Sequence, residues 1–345
     1  YGVTQNGNYG AIAVGYKSNS NISNIVWSIH SGYDNVTRSC SHDGGGPGDY
    51  SNDSCTYVGD CNNAYFHNYA NQPIASWDFP PWSTENNGIS TPTLVRSVFS
   101  GGSGTPDDPY VVDSPEQVGS IGDDPGGHYS LPNGTIEVDP GADPIGTPED
   151  PFTGSFVGNG TILTGVNVTG GGFFGTIENG TVANITLQGN VSGGGSTGGF
   201  AGNISGNSTI EGIVVNMTVT GGGGSTGGFA GNVSGNVSIN NVTIGGTVNG
   251  GPNTGGFAGN VGGNASVGGV TVNGTVNGGP NTGGFAGGVG GNASVGGVTV
   301  TGGVSGGNNT GGFGGTIGGG ASVNNVSTSG PVTGTGRAGG IAGTI

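Results

Sequence analysis

Positive charge is almost missing from this sequence. Lys17, Arg38, Arg96 and Arg337 are the only bases in 345 residues, against 20 acidic ones. A nucleic-acid interface needs clustered Lys and Arg to replace phosphate counterions, so that class of partner is excluded. Charge of either sign is scarce at 7%, where a typical soluble domain carries about 25%. Disordered chains are rich in charge and poor in regular apolar positions, and this chain is the reverse. No apolar run approaches the ~18 residues of a membrane span, so none is expected.

Cysteine is sparse and confined. Cys40, Cys55 and Cys61 all lie in the first third. In a secreted chain an odd count predicts one internal disulfide and one thiol that is free or paired with a neighbouring molecule. The nearby His42 and His67 raise a zinc site, but C-x-H and C-x5-C match no common zinc pattern. Asp43, Asp49, Asp53 and Asp60 could offer oxygens to Ca²⁺. Their spacing is not that of an EF-hand, and solvated turn residues account for them better. No metal or other cofactor is therefore expected.

What the chain has instead is glycine, 86 residues of it, arranged with a period. Thr254 to Asn281 reads TGGFAGNVGGNASVGGVTVNGTVNGGPN, and the next 28 residues repeat it with five differences. A phenylalanine after Gly-Gly recurs at Phe200, Phe229, Phe257, Phe285 and Phe313, and Ile341 takes that slot in the last copy. Four apolar columns keep step with it. They are Ile204/Val233/Val261/Val289/Ile317, Ile210/Ile239/Val267/Val295/Val323, Val215/Ile244/Val272/Val300 and Val219/Val248/Val276/Val304/Val332.

Each copy holds three short apolar segments separated by Gly, Asn or Gly-Pro-Asn. These are too short and too β-branched for helices. Three strands and three turns suit one coil of a triangular solenoid. A flexible Gly-rich linker would not keep valines in register, and a Ca²⁺-binding β-roll would need an Asp in every copy. The predicted fold is all-β: a right-handed parallel β-helix over 152–345, with about six to seven coils some 4.8 Å apart and a core of stacked Phe. Edge-on or offset ring pairs are expected in that stack.

Residues 1–98 read differently. They hold Trp27, Trp77, Trp82 and all three cysteines. Alternating segments at 9–16 and 24–33 read as strands, and 80–92 reads as a linker. A small disulfide-bearing β domain is predicted for 1–98, and a bridge and N-terminal cap for 99–151.

Catalytic chemistry finds little to work with. After Asp150 the only acids are Glu178 and Glu211, the only base is Arg337, and there is no His. Glycoside hydrolysis needs two carboxylates close together, and these two are more than a coil apart in sequence. In 1–98, His30, His42 and His67 stand in no Ser-His-Asp or Cys-His pattern. The expectation is a protein that is not an enzyme.

Asn-X-Ser/Thr triplets occur 20 times: Asn21, Asn35, Asn52, Asn133, Asn159, Asn167, Asn179, Asn184, Asn190, Asn203, Asn207, Asn216, Asn232, Asn236, Asn241, Asn264, Asn273, Asn292, Asn308 and Asn325. That is roughly twice what this composition gives by chance on the triplet rule. The excess predicts N-linked glycans and an extracellular life. A first residue of Tyr1 rather than Met fits a secreted chain whose signal peptide has been removed. The closing RAGGIAGTI stops one strand into a further coil, which predicts an open edge for another subunit.

The run DDPYVVDSPEQVGSI (107–121), followed by HYSL, PIGTPEDPFTGSFVGNGTI and GGFFGTIENGTVANITL, resembles the opening of large secreted bacterial and archaeal surface proteins, including archaeal sheath and surface-layer subunits. In that family such an opening leads into a right-handed parallel β-helix with GLUG-type repeats. There Gly-Gly-(Phe/Leu)-(Ala/Val)-Gly recurs once per coil, as here. The resemblance covers about 107–345. It implies the fold and a cell-surface location, and it brings no catalytic residues. The expected function is thus an extracellular structural protein that self-assembles through β-helix edges and N-terminal contacts into a sheath, layer or filament, alongside other cell-envelope components. The competing expectation is an adhesin that presents the aromatic-rich N-terminal domain to glycans or partners.

Overall fold

The computed structural model describes residues 99–139 and 141–345, together with the backbone of four short strands that precede them. The chain divides into two compact units, Tyr1–Ser97 and Val98–Ile345. In the first, Ile25–Ser28 pairs in parallel with Cys55–Val58, and Trp82–Ser83 pairs antiparallel with Thr93–Leu94. The first of these lies inside a segment read as a strand. The second pair takes in part of the stretch read as a linker. Segment 9–16 lies outside the described residues.

The second unit is a parallel β-solenoid of about eight turns, with ~28 residues in each. Each full coil contributes to three faces. In one coil the short face is Asn253–Gly255, the narrow face Ala258–Val261, and the long face Ser266–Val272 with Thr275–Asn277. Stacked through the molecule, the short face has six strands, the narrow face seven and the long sheet thirteen. In the lower coils the long face is one continuous strand, as in Thr181–Gly193 and Thr209–Gly221.

Register is set by the apolar columns. A one-residue slip would turn a buried row out to solvent. All four predicted columns pair as expected: Val215 faces Ile244, Val272 and then Val300, and Val219 faces Val248 and then Val276. The Phe residues are fully buried at the two-residue corner between short and narrow faces. There the corner backbone also bonds coil to coil, with Phe257 N–H donating to the Phe285 carbonyl at 2.8 Å.

The solenoid starts earlier than the six-to-seven-coil expectation. Tyr110–Val111, His128–Ser130 and Thr135–Glu137 all join the long sheet in parallel. Ile145 and Phe152 bridge to Phe174 and Ile177 on the narrow face. This first turn has no Gly-Gly-Phe signature, so periodicity alone did not show it. It also carries a short helix, Pro115–Gly119, closed by a capping box: Gln117 N–H donates to Ser114 Oγ (3.4 Å) and Ser114 N–H to Gln117 Oε1 (3.2 Å). The Ser-Pro-Glu-Gln sequence encodes this cap directly. Val118 and Ile121 from this segment join the solenoid core.

Candidate functional site

The outward surface of the solenoid is built from asparagine ladders. On the narrow face Asn203, Asn232, Asn260, Gly288 and Thr316 occupy one column. Asn232 Nδ2 donates to Asn203 Oδ1 (3.2 Å) and to Ser196 Oγ (2.6 Å). One coil on, Asn260 Nδ2 donates to Asn232 Oδ1 (3.1 Å) and Ser225 Oγ (2.6 Å). The ladder then stops, because Gly288 supplies no amide. An open groove of about 690 Å³ runs along this column, lined by the Asn residues, Thr316 and glycines of the adjoining turn.

Three further ladders run parallel to it. In the turn between narrow and long faces, Asn236 donates to Asn207 (3.1 Å), Asn264 to Asn236 (2.9 Å) and Asn292 to Asn264 (3.3 Å). On the short face Asn281 donates to Asn253 and Asn309 to Asn281, each at 2.9 Å. On the long face Asn277 donates to Asn249 at 3.0 Å. The reason is geometric. Identical residues stacked at the strand spacing place one amide N–H under the next amide oxygen, as in cross-β stacks. Each such bond contributes on the order of 0.5–1.5 kcal/mol net.

A buried polar column escaped the sequence reading. Thr197, Thr226, Thr254, Thr282 and Thr310 are fully buried just before each Gly-Gly-Phe. Thr254, Thr282 and Thr310 donate to the carbonyls of Gly251, Gly279 and Gly307 at 2.9–3.1 Å, closing the turn before the short face. The Thr in T-G-G-F was the available signal. The last copy has Ala338 in that place.

Titratable groups are scattered. Glu178 is exposed on the narrow-face strand Phe174–Glu178, whereas Glu211 is exposed on the long-face strand Thr209–Gly221. The two carboxylates thus belong to different sheets. Asn241 Nδ2 lies 3.5 Å from Glu211 Oε1. His128 Nδ1 contacts Ser155 Oγ at 2.7 Å in the first turn. Two groups have shifted ionisation. Glu116 is lowered by a backbone hydrogen bond and then by Ser114. Tyr129 is raised above the usual phenol range, first by burial and then by Asp124.

Among the described residues no group of three or more His, Cys, Asp or Glu could hold a metal, and no helix is long and apolar enough to cross a membrane. Asp43, Asp49, Asp53, Asp60, Cys40 and Cys61 lie outside the described residues. Of Cys55 only the backbone is described, at the start of Cys55–Val58. Asn21, Asn35 and Asn52 fall outside as well. The remaining triplet asparagines are on the solenoid, and all are exposed except the half-buried Asn203 and Asn232.

No family model matches the chain, so the resemblance to GLUG-type surface proteins gains no support there. The structure shows the coarser statement, a parallel β-solenoid. A protein of Evansella cellulosilytica, named as a Gly-rich membrane protein, is 37% identical over an alignment of 107 positions that covers 27% of this chain and 12% of that protein. The match therefore spans a small part of a much longer relative. A crystal structure from Bacteroides ovatus, assigned as an immunoglobulin A1 protease, aligns with a TM-score of 0.40 and 16% identity over 70% of this chain and 86% of that one. A likeness at that level carries no argument about activity.

Proposed function

We propose that this protein is a structural subunit of an extracellular coat, N-glycosylated and self-associating into a sheath, layer or filament. The observation that carries the reading is the surface of the solenoid. From Phe152 onward it has two acids and one base, and its outward columns are in-register Asn, Ser and Thr. Along these coils, as distinct from the acidic first turn, neighbouring rods have little charge repulsion to overcome, and their free amide and hydroxyl groups can bond to like groups. Strand edges at the ends of a coil stack give a second route for pairing. A disulfide between copies, drawn from Cys40, Cys55 or Cys61, would lock the assembly.

The test is electron microscopy of native material in negative stain, joined to light scattering of purified protein with and without reductant. Regular tubes, sheets or fibres are expected, with reductant loosening them. Protein that stays monomeric at high concentration without reductant refutes the proposal. The three Trp residues of the first unit favour one alternative, an adhesin, which would appear as separate rods that bind glycans.

A further inference from the structure

The asparagines of the Asn-X-Ser/Thr triplets are not equivalent in the folded solenoid, and their hydrogen bonds sort them by face. An N-linked sugar replaces one hydrogen of Nδ2. Asn232 uses both, on Asn203 Oδ1 and Ser196 Oγ. Asn159 likewise donates to Ser130 Oγ (3.1 Å) and the Leu131 carbonyl (2.9 Å). Asn179, Asn207, Asn236, Asn264 and Asn292 form one ladder through successive coils. Its members are separated by one strand spacing, ~4.8 Å. A sugar ring is broader than that interval, so a glycan on one member crowds both neighbours.

The long face is different. Asn216 and Asn273 are exposed, and neither Nδ2 donates to another described residue. Asn273 Oδ1 accepts from Thr301 Oγ1 at 2.8 Å, which orients the amide while leaving its nitrogen unused. Asn216 pairs in register with Gly245, and Gly245 is followed one coil later by Asn273. A residue without a side chain thus separates the two asparagines, which leaves each of them open toward Gly245, with Gln188 on the far side of Asn216 and Thr301 on the far side of Asn273. Asn167 and Asn190 are direct register partners on adjacent coils, so one sugar excludes the other.

We propose that the long face carries the glycans of the solenoid, Asn216, Asn273 and one of Asn167 or Asn190 among them, and that the narrow face and its adjoining turn ladder stay bare. This rests on the glycoprotein part of the function above and gives the rod two sides: a sugar-coated one and a bare one open to neighbours.

Glycopeptide mapping of native protein by mass spectrometry, after denaturation and non-tryptic digestion, tests it. Full or near-full occupancy is expected at Asn216 and Asn273, with at most one sugar per molecule across Asn167 and Asn190. No sugar is expected at Asn207, Asn232, Asn236, Asn264 or Asn292. Sugars along the ladder overturn the assignment and leave the glycoprotein reading intact; no sugar anywhere overturns both. Two variants made in the glycosylating host add a second readout. Asn216→Gln should lose one glycan mass and keep its melting midpoint. Asn236→Gln should lose no mass and melt earlier. The opposite pattern refutes the proposal.

Discussion

From Asn179 onward, two columns of residues have backbone that glycine and asparagine adopt at the lowest cost. The first is Asn179, Gly206, Gly235, Gly263, Gly291 and Gly319, with φ from 59 to 85°. The second is Asn184, Gly212, Asn241, Gly269, Gly297 and Asn325, with φ from 50 to 68°. These left-handed residues turn the chain from the narrow to the long face and bend the long face itself. Any β-branched residue there meets its own carbonyl. Gly297→Asn should be tolerated, since Asn already occupies the column and a Cβ at Gly297 meets nothing closer than the Gly269 backbone at 3.4 Å. Gly297→Val should lose roughly 1–2 kcal/mol or more, read from denaturant midpoints. Tyr129 makes a residue-scale case of another kind. Its buried hydroxyl donates to the Asp124 carbonyl at 2.6 Å. Because its folded ionisation lies above the unfolded value of about 10, the contribution is complete below that pH and is lost as pH rises through the folded value. Alkaline titration of the denaturation midpoint should therefore weaken the wild type above about pH 10. Tyr129→Phe should start about 1 kcal/mol lower and show less of that decline.

At the scale of the element, the aromatic column explains why one Phe per coil suffices. Phe200, Phe229, Phe257, Phe285 and Phe313 have ring centroids 4.7–4.9 Å apart and planes within 2–9° of parallel. The expected choice between edge-on and offset pairs is settled in favour of parallel rings. Their separation exceeds the ~3.5–4.0 Å of carbon contact, so rings in contact slide sideways into offset stacks. Lower down the repeat is less regular and the rings tilt, with Phe174 and Phe200 at 56°. Phe257→Ala should cost about 3–5 kcal/mol, and Phe257→Leu should recover part of it in the same thermal melts. The Phe and Val columns were legible because an apolar residue that must recur every 28 positions leaves a visible period. The Thr column was less legible because Thr also decorates surfaces, and only burial distinguishes Thr254 from Thr275. Tyr129 and Phe152 were hidden because the first turn pairs with the long and narrow faces, respectively, without repeating their sequence.

For the whole molecule, the near-identity of successive coils makes it quasi-one-dimensional, with each coil contacting its neighbours. Removing Thr282–Asn309, one full repeat of 28 residues, would bring Phe257 into register with Phe313. This variant should fold, with circular dichroism per residue unchanged and a single melting transition. Deleting Thr271 alone, inside the long-face strand Ser266–Val272, turns Val272 from the core to the outer face and should lower the melting midpoint, whereas one extra residue in a turn is tolerated, as the 29-residue step from Phe200 to Phe229 shows. The candidate site was legible only in composition. Asn-rich turns are plain in the sequence, but which amide donates to which oxygen depends on coil stacking.

The sequence by itself determined the period, the all-β class, the four valine columns and the shortage of groups for acid–base chemistry. These are one-dimensional properties: spacing and residue type. Only the tertiary structure decided that the coil count reaches into residues 99–151, that Glu178 and Glu211 lie on different faces, and that some asparagines spend their amide hydrogens on one another while others keep them free. The physical reason is that a hydrogen bond between coils joins residues 28 or 29 positions apart. Whether it forms is fixed by the strand spacing and by what the intervening corners allow, and no single repeat contains that information.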